Sequence, residues 1–271
     1  MAGGAVNAGL QTIGQGGGGE FPQTADVAVV IPAYNHARFL AEAIESVVAQ
    51  TLPVREIIVI DDASTDETSA VAGRYPRVRL VRQPTNRGLP ASRNLGTSLA
   101  STRWVLFLDA DDRLLPDAVA HSMACMDANP GAGFVYGAHR RVDGALRPIS
   151  GKLHRPVGSE PFRDFLQGNI VGMIATALFD RAKLLEAGGF DAALPRCEDY
   201  DLFLRLARRW PVGCHDHLVA EYRIHGENMS ADSATMLEVA LEVLDRYRPL
   251  REEQEEWRAY RRGRREWAFS Y

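Results

Sequence analysis

From Asp26 to Ala128 the chain alternates, four times over, a short β-branched apolar run with a longer segment of helical period. Val27-Ala28-Val29-Val30-Ile31, Glu56-Ile57-Ile58-Val59-Ile60, Val78–Val81 and Trp104–Leu108 are the four strands this predicts. Residues 37–49 place Phe39, Leu40, Ala43, Ile44, Val47 and Val48 on one helical face. Ser64-Thr65-Asp66-Glu67 reads as a capping box opening a helix to about Arg74. Pro90 suits the first turn of a helix reaching about Ala100, and Pro116 opens another to about Ala128. A continuously apolar strand is one buried on both faces. Strands separated by helices run parallel, because each crossover returns the chain to the same edge. The first half is therefore an α/β layer structure with a mostly parallel sheet.

After residue 130 the alternation breaks. Phe134–Arg140 and Leu146–Ile149 look like strands around an Asp143-Gly144 turn. Residues 159–167 look helical and 174–179 extended. Asp199–Arg209 forms an amphipathic helix with Leu202, Phe203, Leu206 and Ala207 inward, and Leu218–Ile224 is a late strand. The expected organisation is a disordered glycine-rich leader over 1–24, an α/β half over 25–130, a mixed half of the same domain over 131–233, and a charged helical tail over 234–271. Gly14, Gly16 and Gly19 match GxGxxG, but no strand precedes them, so the dinucleotide reading lacks its context.

Composition narrows the class. With 271 residues, 46% of them hydrophobic, the chain can bury one large core. A net charge of −4 argues against nucleic acid as partner. Cys125, Cys197 and Cys214 are far apart with no CxxC, which favours a reducing, cytoplasmic compartment over a disulfide framework or structural zinc. No run of 18 apolar residues occurs. The tail sets Arg258, Arg261, Arg262, Arg264 and Arg265 beside Trp257, Tyr260 and Trp267. It reads as a solvated helix of mixed charge, with peripheral contact to an anionic membrane at the inner face of the cell membrane as the alternative.

Ligands of open parallel sheets bind at the carboxyl ends of the strands. The residues there are Pro32-Ala33-Tyr34-Asn35, Asp61-Asp62-Ala63-Ser64, Asn86-Arg87-Gly88 and Asp109-Ala110-Asp111-Asp112. Helix caps explain one Asp or Ser per loop. Five aspartates in two loops repel one another unless a cation or donor groups compensate. Asp109 and Asp111 would point the same way on an extended backbone, and two carboxylates suit a hard ion, Mg²⁺ or Mn²⁺. His215-Asp216-His217 has alternate spacing but reads as the flank of a surface strand. Asn228-Met229-Ser230 fits the glycosylation triplet, which a cytoplasmic enzyme would not present to that machinery.

Taken in order, IPAYN, VIDDASTD, NRGLPASRN, FLDADD, CEDYDLFLRL and YRIHGENMS resemble glycosyltransferase family 2, with its GT-A-type Rossmann-like fold, over residues 27–230. The resemblance implies an inverting transferase that moves a sugar from a nucleotide-diphosphate donor, foremost a UDP-sugar, to a glycan or lipid-linked glycan hydroxyl. It implies that Pro32, Ala33, Tyr34, Asn35, Asp61 and Asp62 surround the base, and that Arg93 contacts the donor. Asp109 and Ala110 would lie along the donor, and Asp109, Asp111 and His225 would hold the metal. Asp199 would be the general base, with Glu198 beside it. Structural readings stand next to these: capping for Asp61 and Asp62, a salt bridge for Arg93, a packing role for His225, and helix-dipole complementarity for Glu198 and Asp199. A sugar nucleotidyltransferase would carry a glycine-rich loop after its first strand, where this chain has Pro32-Ala33-Tyr34-Asn35. A non-catalytic binding relative would have lost the DxD or the ED pair, and both are present.

Overall fold

The structure, a computed structural model, describes residues 24–226 and 232–270. The leader with its GxGxxG match and the Asn228-Met229-Ser230 triplet lie outside the described residues. Among the described residues the strands are β1 (Ala25–Ala33), β2 (Val54–Asp61), β3 (Val78–Arg82), β4 (Trp104–Phe107), β5 (Arg113–Leu114), β6 (Phe134–Val142), β7 (Ala177–Asp180) and β8 (Val212–Arg223). They form one sheet in the order β3-β2-β1-β4-β7-β6-β8-β5. The first four run parallel. β7 is antiparallel to both of its neighbours, β6 and β8 are parallel, and the short β5 closes the edge antiparallel to β8. This is the GT-A arrangement of a parallel half continued by a mixed half.

The helices are α1 (Ala37–Val48), α2 (Thr68–Ala72), α3 (Leu89–Leu99), α4 (Ala118–Ala128), α5 (Pro161–Phe165), α6 (Arg181–Glu186), α7 (Glu198–Ala207), α8 (Ser233–Arg246) and α9 (Gln254–Ser270). β1 shows why its strands are apolar throughout. Val27, Val29 and Ile31 join a core with Leu40, Ile44 and Val47 of α1 and Val119 and Met126 of α4. Ala28 and Val30 join the core on the opposite face, with Tyr200 and Phe203 of α7. Each fully buried large aliphatic side chain contributes roughly 1.5–3 kcal/mol. α3 lies so close to β1 that a Cβ on Gly96 would stand 2.2 Å from Val30 Cγ1. Arg93 sits one turn earlier on that helix and is buried with it.

Three expectations are corrected. Leu146–Ile149 is not a strand: Pro148 has no N–H to donate, and a single bridge, Val142 to Pro148, replaces the ladder. Asp143 instead ties its own loop by accepting from the Ala145 and Arg147 N–H groups, both at 2.9 Å. The capping box does not form. Ser64 Oγ accepts from Asn35 N–H rather than from its own helix, Asp66 accepts from Ala37 N–H with Oδ2 and from Thr68 N–H with Oδ1, and α2 starts only at Thr68. His215-Asp216-His217 lies inside β8 rather than beside it, across a register irregularity against β6. In the tail, Tyr260 and Trp267 are buried and Trp257 packs partly against the core, while Arg258, Arg261, Arg262 and Arg265 face outward. Among the described residues no helix is long and apolar enough to cross a membrane.

Candidate active site

A cavity of about 570 Å³ opens at the carboxyl ends of the parallel strands, within the size range of small-molecule sites. The β1 loop gives it Pro32, Ala33 and Tyr34, the β2 loop Asp62, and the β4 loop Asp109, Ala110 and Asp111. His36, Asn86, Arg87, Tyr222 and the segment Ala192–Pro195 also line it, and none of these carried an assigned role from sequence. Among the described residues, three of the four non-glycine residues with positive φ stand in the loops around it: Asn35 (56°), Ala63 (63°) and Cys197 (57°). Such residues persist only where the surrounding structure over-determines them, and they cluster at functional sites.

Of the expected site residues, Asn35, Asp61, Arg93, Glu198, Asp199 and His225 do not line the cavity. Asp61 is fully buried, accepts from Ser64 N–H at 2.8 Å and from the Ser69 hydroxyl, and lies 3.6 Å from Arg82. Asn35 accepts from Thr65 N–H at 2.8 Å and donates its own N–H to Ser64 Oγ. Both shape the loops rather than the cavity wall. Asp62 does reach the wall. Its Oδ1 accepts from Gln83 Nε2 (2.7 Å) and Arg87 N–H (2.8 Å), and its Oδ2 from Gly88 N–H (2.7 Å). A carboxylate oxygen has two lone pairs, so Oδ2 keeps one for an incoming N–H donor.

Asp109 and Asp111 reach the cavity by a different route from the one expected. The backbone is not extended there: Asp112 N–H closes a turn onto Asp109 O at 3.0 Å. Asp112 itself points inward, 2% exposed, and accepts from Arg223 N–H at 2.8 Å. Burial pushes its carboxyl well above the usual range, repulsion from Asp111 and Asp109 adds to this, and the Arg223 N–H opposes it.

Arg93, 2% exposed, joins the two acidic motifs. Its Nη2 donates to Asp109 Oδ1 at 2.7 Å and its Nη1 to Glu198 Oε1 at 2.5 Å, with the guanidinium over the Phe190 ring. Burial works against its charge, but Asp109 and Glu198 outweigh it and hold the guanidinium above its ordinary pKa. Burial pushes Glu198 up to about 7; Arg93 opposes this and Asp199 adds to it. Asp199 is raised by burial too, against Arg93 and a 2.7 Å hydrogen bond from Tyr200 N–H. Glu198 and Asp199 start α7, where the helix dipole favours negative charge.

Asp111 Oδ2 lies 2.9 Å from His225 Nε2 and 3.9 Å from His36 Nε2, and Phe39 stacks on the His225 ring. Among the described residues no three His, Cys, Asp or Glu side chains form a ready-made metal cage. Mg²⁺ and Mn²⁺ seldom need one. Such ions take one or two carboxylates and complete their shell from water and substrate phosphates. Two carboxylates at one cavity wall with an imidazole against one of them fit that donor set.

A parallel half carrying an acidic cavity at its strand ends, joined to a mixed half carrying a buried ED pair, is the fold of GT-A glycosyltransferases. Residues 28–187 match the family model Glycosyl transferase family 2, and the chain belongs to that family. Its sequence is similar to the chondroitin synthase of Escherichia coli, 29% identical over 208 residues that cover 75% of this chain and 30% of that protein. The chain thus spans less than a third of that relative's length. Its structure is similar to S. aureus TarS 1-349 in complex with UDP, with TM-score 0.65 and 20% identity over 86% of this chain and 70% of that one. It is also similar to the mannosyltransferase PcManGT from Pyrobaculum calidifontis in complex with GDP-Man and Mn²⁺, with TM-score 0.64 and 20% identity over 84% and 66% of the two chains. At these identities the structural likeness establishes the fold.

Proposed function

We propose that this chain is an inverting glycosyltransferase that moves a sugar from a nucleotide-diphosphate donor, UDP foremost, to a hydroxyl of a glycan or lipid-linked glycan in polysaccharide biosynthesis. The single observation that carries the reading is Arg93. One buried guanidinium ties the DxD carboxylate Asp109 to Glu198, which supports a reading in which the donor wall and Asp199 serve one reaction.

In this reading residues 25–130 hold the donor and 131–233 the acceptor. The base lies against the half-exposed Tyr34 ring, and the free lone pair on Asp62 Oδ2 accepts its ring N–H. Asp109, Asp111 and His225 would hold Mg²⁺ or Mn²⁺, which when bound supplies positive charge that neutralises the departing diphosphate. Asp199 takes the proton from the acceptor hydroxyl. The acceptor oxygen then bonds to the anomeric carbon as the bond from that carbon to the phosphate oxygen breaks on the opposite face, which inverts the configuration. A raised carboxylate pKa makes Asp199 a better base near neutral pH. The outward arginines of α9 are the face we assign to contact with an anionic membrane surface, with the protein on the cytoplasmic side.

The test separates base from donor binding. Asp199→Asn is expected to lower turnover by about 10²–10⁴-fold while calorimetry shows donor affinity unchanged. Unaltered turnover rejects the assignment.

A further inference from the structure

Unlike Asp109 and Glu198, which share the Arg93 guanidinium, Asp199 has no cation at ion-pair distance among the described residues. What does hold it comes from the mixed half. Asn169 lies between Gly168 (φ 144°) and Gly172 (φ 73°), two glycines in conformations that let the chain fold tightly around its side chain. Its Oδ1 accepts from Val171 N–H at 3.2 Å and Gly172 N–H at 3.3 Å. That settles which end of the amide is which, since an amide NH₂ cannot accept from two N–H donors. The NH₂ therefore faces Asp199 Oδ2, at 3.4 Å. The other oxygen, Oδ1, is held by Tyr200 N–H.

We propose that Asn169 is a positioning residue for the sugar-transfer reaction: its side-chain amide fixes Asp199 Oδ2, so that the carboxylate keeps one orientation toward the acceptor hydroxyl. The proposal rests on Asp199 being the base. A hydrogen bond of 3.4 Å is long, as catalytic hydrogen bonds often are before substrate arrives. The charged groups around Asp199 are Arg93 from α3, Asp109 from the loop after β4, and Glu198 from α7 itself, and Asn169 is the neutral side-chain donor among them. The contact favours the ionised form of Asp199.

Asn169→Asp discriminates this role from a purely structural one. An aspartate keeps an oxygen for the Val171 and Gly172 N–H groups, so the loop keeps its turn, but it replaces the donor facing Asp199 with a second carboxylate oxygen. The readout is ¹³C NMR titration of the Asp199 carboxyl, assigned with Asp199→Asn, alongside thermal melting. Turnover is followed as nucleotide release from whichever UDP-, GDP- or dTDP-sugar most raises the melting temperature. In N169D the Asp199 midpoint is expected to rise by on the order of one pH unit as the two acids couple. Turnover should fall at least tenfold with the KM for donor unchanged. If N169D titrates and turns over like the wild type while N169A fails, Asn169 only builds its loop and the proposal is overturned. Should N169D lose its cooperative melt, Asn169→Ala read by the same titration decides, and an unmoved midpoint overturns it. Turnover retained in D199N removes the base assignment instead, and leaves the measured Asn169–Asp199 contact standing.

Discussion

Replacing Arg93 with methionine separates a buried counterion from a merely buried side chain. Methionine keeps the length and apolar stem but leaves Glu198, whose side chain is 8% exposed, without a partner. Asp109 is 29% exposed, so water screens most of its share, and Glu198 dominates the effect. The sign follows from linkage. A carboxylate whose folded-state pKa is raised loses stability as pH rises from its unfolded value to its folded one. In the wild type that loss runs from 4.5 to about 7, where Arg93 stops it. In R93M it continues above 7, at about 1.4 kcal/mol per further pH unit. The substitution should therefore be nearly neutral at pH 6 and cost roughly 3 kcal/mol by pH 9, within the range for breaking buried pairs. Urea denaturation at the two pH values, with unchanged m-value, measures it. Adding Glu198→Gln should abolish the pH dependence of the cost. A cost equal at both pH values would refute the claim that Arg93 acts as the counterion of Glu198.

Other expectations follow from single contacts. A Cβ on Gly263 of α9 would stand 2.0 Å from Leu166 O, a backbone atom that cannot swing aside. Alanine there gains ~1 kcal/mol of helix propensity but meets an overpacking cost of ~1–3 kcal/mol, so G263A should lower the melting temperature and speed proteolysis of the tail. His139 is 8% exposed, and burial, with Arg141 adding to it, pushes its imidazole from 6.5 down to about 4. The fold favours its neutral form, so that stability is present above pH 6.5 and lost as pH falls toward 4; H139Q should flatten stability over that window in urea titrations at stepped pH.

The parallel half was legible because its signals are local. Each β-branched run is buried on both faces, and each loop after a strand declares its polar residues in series. The mixed half depended on facts with no local signature. Asp143 satisfies its own loop and Pro148 withholds an N–H, so a run that alternates like a strand pairs only through one isolated bridge. Ser64 looks like a cap for the helix that follows it, yet its oxygen goes to Asn35, twenty-nine residues earlier, and Asp66 divides its two oxygens between Thr68 and the distant Ala37. The same limit governs the site. Asp62, Asp109 and Asp111 stood out by type and position. Asp61 looked equivalent to Asp62, but side chains alternate along a strand end, and its carboxylate turns to Ser64 and Ser69. His36 directly follows the β1 loop, yet nothing local marks it: its Nδ1 meets Tyr34 O, and only the fold brings its Nε2 within 3.9 Å of Asp111, seventy-five positions away. Arg93 and Glu198 are 105 residues apart, and only the fold shows that one cation serves both acidic motifs.

The account turns on whether the acidic strand-end cavity takes up a nucleotide diphosphate together with a divalent ion. Calorimetric titration of UDP, and in parallel GDP and dTDP, into the protein with Mn²⁺ measures this directly. We predict saturable binding of at least one nucleotide that disappears in EDTA and in Asp111→Ala. Equal affinity with and without chelator, or full binding by D111A, would contradict it.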